Sequence, residues 1–218
     1  MRALLKASHI LASPAAVVAV AATLGIAGSV EAASLVEVRA KGGDSLPEGV
    51  VEQVKAIPHV VKLERYLYVK AEPHDVIGIE AGAPLRIVTE ERKLLTAHIE
   101  AGRSFKEGAK NAAIMGKVYR EDYGFKGMGM VHAHPFEVGA SFSFPGSKER
   151  IRVIGTFTVD PESQAKRVFL PLSTAQRLFD KAGKLTHLFI TLDKAENTPQ
   201  VVETLTKALG EGAEILRR

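Results

Sequence analysis

The chain has 218 residues, 46% of them hydrophobic and 25% charged, a formal charge of +4, and neither cysteine nor tryptophan. That balance excludes a disordered or collagenous polypeptide and leaves apolar residues enough for a real core, while the missing thiols exclude disulfide stapling and cysteine catalysis. Lys and Arg are scattered among Asp and Glu with no basic run and no interleaved aromatics, so no nucleic-acid partner is expected.

At the N-terminus, Arg2 and Lys6 precede a stretch from Ile10 to Val30 without a charged side chain, and the next charge is Glu31. This length and polarity fit a bilayer span of about 20 residues, with the positive end in the cytoplasm. Pro14, Gly25 and Gly28 are tolerable in a membrane helix. Val30-Glu31-Ala32 also offers small residues where a signal peptidase cuts. Residues 1–33 are expected to be a single-pass membrane anchor or a secretory signal, and either one places residues 34–218 outside the cytoplasm.

Alternation in LVEVRA predicts a strand over Leu35 to Ala40, with Leu35 and Glu37 on one face and Val36 and Val38 on the other. Ser45 is a candidate helix cap and Pro47 a first-turn proline, followed by Val50, Val51, Val54 and Ile57 at helical spacing and a stop at Pro58. Period two returns in VVKLERYLYVK, HDVIGIE and PLRIVTE, three further strands. Gly102 to Phe105 mark a turn, and NAAIMGKVYREDYGF holds a strand and then a short helix with Val118, Tyr119 and Tyr123. In the segment after it, Val138, Phe142 and Phe144 alternate, PGSK turns, and Ile151, Val153, Ile154 and Phe157 return as a hairpin. RVFLPL predicts a strand, STAQRLF a helix capped by Ser173, and THLFITLD another strand. The last helix, Pro199 to Leu209, carries Val201, Val202, Leu205 and Leu209 on one stripe and ends at Gly210, before an edge strand in AEIL.

This order, β-α-β at both ends around a β-rich middle, predicts an α+β fold with a mixed sheet in two lobes. The outer pieces, 34–98 with 184–218, form one lobe, and 99–183 form the β-rich other. Gly102 and Gly139 are placed for turns with positive φ, and Gly155 for close packing or a bulge.

The same pieces, read in order, resemble the MacB-like periplasmic core domain of ABC-transporter permeases, the MacB, LolC/LolE and FtsX-type group. The resemblance rests on the N-terminal hydrophobic segment, LPEGVVEQVKAIPHV with the strand after it, IEAGRSF, AAIMGKVYRED, the EVGASFSF and RIRVIGTF arms, and VFLPLSTAQRLF followed by LFITLD. It implies a non-enzymatic domain at the inner (cytoplasmic) membrane that couples ATP hydrolysis inside the cell to events in the periplasm. Its implied partners are an ABC ATPase subunit and a multi-span permease subunit, in a homo- or heterodimeric assembly. Family members carry three more membrane helices after the domain, whereas this sequence runs to Arg217 and Arg218; a permease fragment, a split subunit or a stand-alone relative is expected. It holds no G-x-x-x-x-G-K-[ST] phosphate loop, so hydrolysis falls to a partner.

One stretch points elsewhere. GMGMVHAHPF places Met128, Met130, His132 and His134 at every second position, and thioether and imidazole donors suit copper. As a ligand set they would make a free periplasmic copper-binding protein. Read structurally, the Met side chains pack, and His134-Pro135 turns into the hairpin. No other cofactor is expected. No serine sits in a G-x-S-x-G elbow, and His59, His74, His98 and His187 stand apart in sequence, so no catalytic residue is assigned. The acidic pairs Glu90-Glu91 and Glu121-Asp122 adjoin Arg92 and Arg120 and are expected to be solvated charge faces.

Overall fold

Period-two alternation builds most of this molecule. The computed structural model describes residues 34–42, 45–71, 75–116 and 137–218. Its strands in chain order are β1 (Leu35–Ala40), β2 (Leu46–Pro47), β3 (Val60–Val69), β4 (Asp75–Ile79), β5 (Leu85–Val88), β6 (Leu94–Gly102), β7 (Ala112–Gly116), β8 (Ser141–Phe142), β9 (Ile151–Thr158), β10 (Arg167–Pro171), β11 (Lys184–Leu185), β12 (His187–Leu192) and β13 (Ala213–Arg217). The helices are α1 (Val50–Lys55), α2 (Leu172–Leu178) and α3 (Thr198–Leu209). The short helix expected around Val118 to Tyr123 lies outside the described residues.

One mixed sheet runs in the order β13-β1-β12-β3-β4-β10-β7-β9-β6-β5, with β8 beside β9; β2 and β11 form a separate pair. The β4–β10 and β7–β9 ladders are parallel and the others antiparallel. The α+β class and the mixed sheet are therefore as expected. The expected lobe boundaries fall within this continuous ladder, since β4 pairs with β10 and β5 lies at the far end beside β6.

Alternate residues of each strand feed two cores, one on each face of the sheet. On one face Val36, Val38, Leu67, Val76, Val168, Leu170, Leu188 and Ile190 pack under Val51 and Val54 of α1, Ala175 of α2, and Val201 and Leu205 of α3. None of α1, α2 and α3 contributes to the other core. There Tyr66, Ile77, Ile79, Phe157, Phe169 and Phe189 meet Leu85 and Ile87 of β5, Ala97 of β6 and Phe105. The sheet curls so that its β5 end folds back over its β3, β12 and β1 end.

The curl is aided where β6 crosses β9. Gly102 (φ 80°) lies opposite Gly155, and a Cβ on Gly102 would stand 2.2 Å from the Ile154 carbonyl oxygen. The pairing of β9 with both neighbours shifts register here, and a bulge of this kind increases local twist. Ile151 and Val153 accordingly face the helix-covered core while Phe157 faces the other.

Two helix starts differ from the sequence reading. Leu46 and Pro47 are drawn into β2 by pairing with β11, which buries Leu46 against Leu185, so α1 starts at Val50 after Gly49 and Ser45 caps nothing. Pro171 occupies the cap position of α2; Ser173 lies inside the first turn and makes no capping bond.

Candidate functional site

The antiparallel pairing of β13 with β1 brings the end of the sequence back beside Ser34. The Arg218 amide donates to the Leu35 carbonyl at 2.8 Å, and the Leu192 amide donates to the Ser34 carbonyl at 3.0 Å. At the same edge His59 Nδ1 lies 3.0 Å from both Asp193 Oδ2 and Asn197 Nδ2. The hydrogen bond from His59, and then that from Asn197, holds the Asp193 carboxyl below its ordinary range.

Just inside this edge a charge cluster closes the curled sheet. Glu37 is wholly buried on the face of β1 that its alternation dictates. Arg218 reaches across β13, donating from Nε to Glu37 Oε2 at 2.6 Å and pairing with it again through Nη2. Its Nη1 donates to the Arg92 carbonyl, at 2.5 Å, in the turn between β5 and β6. Arg92 itself pairs with Glu214 at 2.9 Å, and Glu214 also pairs with Arg39. Hydrogen bonding to Arg39 is the main reason the Glu214 carboxyl titrates below its usual range. One guanidinium, that of Arg218, therefore ties β1 and β13 to the far end of the sheet.

Further along the seam, Arg86 of β5 donates from Nε to Glu64 Oε2 at 2.8 Å and lies over the Phe189 ring at 5.2 Å from its centre. Burial works to raise the Glu64 carboxyl, but hydrogen bonds and charge from Arg86 and Lys62 outweigh it and leave it lowered. Tyr66 donates to the Pro84 carbonyl at 2.7 Å and Tyr68 to the Arg86 carbonyl at 2.9 Å. Both phenols are held protonated by burial. Side chains here satisfy carbonyls of an edge strand that would otherwise stay open.

His187 sits in the same layer, its ring centre 4.4 Å from that of Tyr68 and Nδ1 2.9 Å from Thr186 Oγ1. Nε2 is 3.5 Å from Glu37 Oε1, a buried oxygen that has no hydrogen-bond partner. Burial above all, with like charge from Arg39 and Arg218, pushes the imidazole down to about 3. Both Arg218 contacts are to Glu37 Oε2. The cluster is thus a set of neutral rings and compensated ion pairs, suited to holding two parts of a sheet together.

Met128, Met130, His132 and His134 lie outside the described residues. Among those that are described, no three His, Cys, Asp or Glu side chains are placed to hold a metal ion. His59 and His187, set apart in sequence, each acquire a carboxylate neighbour through the fold. Glu90 and Glu91 are exposed, and Arg92 beside them is engaged by Glu214. The buried roles of Glu37, Glu64 and Arg218 were not anticipated; the available signal for Glu37 was an acid between two valines.

Among the described residues no helix is long and apolar enough to cross a membrane. No curated protein sequence matches the chain. The fold is similar to the extracellular domain of the noncanonic ABC-type transporter YknZ from Gram-positive bacteria, at 14% identity and a TM-score of 0.55, covering 84% of this chain and 99% of that one. It is similar also to the periplasmic region of MacB from Actinobacillus actinomycetemcomitans, at 11% identity and a TM-score of 0.56, covering 86% of this chain and 89% of that one. Such identities establish shared architecture alone, but the sequence itself matches a family description along almost its whole length. With residues 11–208 matched, the chain belongs to the MacB-like periplasmic core domain family.

Proposed function

We propose that the chain is the extracytoplasmic part of an ABC-transporter permease system, held at the inner membrane by one pass of residues 10–30. In this reading it passes motion, driven by ATP hydrolysis on a partner, to cargo or to a second protein outside the cytoplasm. Family membership supports the setting, as does likeness to domains of transporters named as ABC-type. The observation that carries the mechanical part is the placement of Arg218 beside Leu35, with its side chain bound to both Glu37 and the β5–β6 turn. Displacement arriving through Ser34 enters β1 covalently, and the Arg218 contacts extend it to the opposite end of the sheet.

An ABC ATPase subunit supplies hydrolysis in this reading, and a multi-span permease completes the pathway; two copies, or one copy and a relative, make the dimer. On the same reading the expected lobes, 34–98 with 184–218 and 99–183, shift relative to one another within the continuous sheet. Mass spectrometry of the protein after gentle detergent extraction from its native membrane tests this reading. Recovery with residues 1–30 intact, together with an ATP-binding subunit and a multi-span permease, is expected. A chain beginning near Ala33 and free of such partners would overturn it.

A further inference from the structure

Three polar side chains converge at the edge beside Ser34. His59 stands in the turn between α1 and β3, Asp193 follows β12, and Asn197 closes the short 3-10 helix Ala195–Asn197 that precedes α3. His59 Nδ1 is 3.0 Å from Asp193 Oδ2 and 3.0 Å from Asn197 Nδ2, and Asn197 Nδ2 is 2.8 Å from Asp193 Oδ1. The backbone fixes the same meeting, since the Asp193 amide donates to the His59 carbonyl at 3.0 Å. His59 holds a φ of 72° there, a left-handed conformation uncommon outside glycine. Its side chain is 34% exposed and that of Asp193 38%, so the cluster opens to solvent.

No placement of protons satisfies all three contacts. An imidazole nitrogen either carries one proton or offers one lone pair, and Asp193, ionised at neutral pH, only accepts. With a proton, Nδ1 donates to Asp193 but meets the Asn197 amide as donor against donor. Without one, it accepts from Asn197 but sets its lone pair against the Asp193 carboxylate. Turning the Asn197 amide over relieves the first conflict and brings its oxygen against Asp193 Oδ1, acceptor against acceptor. A second proton, at Nε2, changes none of these contacts.

A divalent cation does what a proton does not, because it accepts lone pairs from all three groups at once. Donor atoms bound at about 2.1 Å stand about 3.0 Å apart on one face of an octahedron, against about 3.4 Å in a tetrahedron. The two 3.0 Å separations from His59 Nδ1 match the octahedral face. One imidazole with a carboxylate and an amide oxygen suits manganese(II) and lacks the sulfur that copper(I) selects. Charge agrees, since Lys194 pairs with Glu196 at 3.5 Å and leaves Asp193 as the net charge of residues 193–197.

We propose that His59 Nδ1, Asp193 and the side-chain oxygen of Asn197 form a site for one octahedral divalent transition cation of the manganese class, with water at the remaining positions. The bound ion clips the α1–β3 turn to the connection between β12 and α3. Its third ligand is an amide, so the site is not a cluster of His and acidic residues alone. It is independent of the transporter reading above, and neither stands on the other.

The test is water-proton relaxation on the full chain in detergent at neutral pH, titrated with manganese chloride. A saturable enhancement corresponding to one ion per chain is expected. His59→Gly, which suits the left-handed backbone, and Asp193→Ala are each expected to weaken binding at least about tenfold. Asn197→Asp, which adds a charge at the third position, is expected to tighten it about tenfold, a gain that a purely structural hydrogen-bond network would not give. That variant carries the test where a melting curve shows either of the other two unfolded. No saturable enhancement, binding unchanged in His59→Gly and Asp193→Ala, or no tightening in Asn197→Asp would each overturn the proposal.

Discussion

At the scale of single residues, the chain places charge where a sheet normally has hydrocarbon. Glu37 is tolerable only because Arg218 supplies the compensating charge, and a buried pair broken on one side commonly costs about 3–5 kcal/mol. Arg218→Ala is therefore expected to lower stability by several kcal/mol, whereas Lys207→Ala, which breaks an exposed pair with Glu203, should change it by less than about 0.5 kcal/mol. Denaturant titration of both variants checks the contrast. His187 gives the seam a pH dependence. Its imidazole titrates near 3 in the native protein against about 6.5 in an unfolded chain, so between those values the unfolded state binds a proton that the native state does not. Stability must then fall as pH drops below 6.5, with a limiting slope of about 1.4 kcal/mol per pH unit. The lowered Glu64 adds a loss of the same sign once pH falls through the carboxylate range. Unfolding midpoints measured from pH 7.5 to 4.5 should decline, and His187→Gln should flatten the decline; a protein growing more stable over that range would contradict the assignment.

Between elements, close approach and hydroxyl bonding matter more than propensity. Gly78 of β4 lies under α2, where a Cβ would come within 2.7 Å of the Ala175 side chain. Gly78→Val is expected to displace α2 and cost about 1–3 kcal/mol by overpacking, and a crystal structure or amide shifts of residues 172–178 would reveal the movement. Tyr68→Phe removes the donor to the Arg86 carbonyl and should cost about 1–3 kcal/mol for a buried acceptor left unmade; an unchanged melting temperature would mean that the β5 edge finds another partner. Most elements were legible in sequence because alternation and helical stripes report on burial, as at Val201 and Leu205 of α3. The starts of α1 and α2 were not, because Ser45 and Ser173 have the local chemistry of a cap but lose to long-range demands. Leu46 is buried by pairing with a strand some 140 residues later, a gain that no local window contains.

For the whole molecule, the curled sheet has a weak side, since β5 meets β3 and β12 through side chains while its other edge is laddered to β6. Hydrogen exchange should therefore show Leu85 to Val88 opening at lower free energy than Leu188 to Ile190, which are held between β1 and β3. Glu214→Gln, which weakens the Arg92 anchor, should widen that difference. Equal protection of the two strands would remove the seam as a point of movement.

The sequence by itself determined the alternating strands, the apolar faces of the helices, the α+β class, the uncharged N-terminal stretch and the family, because each depends on neighbouring residues or on the order of segments. Only the tertiary structure decided that Glu37 faces a core, that Arg218 neutralises it from 181 positions away, and that His59, Asp193 and Asn197 meet at one edge. The physical reason is the same in each case. A strand's alternation assigns a side chain to a face, but whether that face meets water, a helix or the far end of its own sheet depends on how the sheet curls. Bulges and glycine contacts of β6 and β9 set that curl, through residues distant in sequence from those it buries.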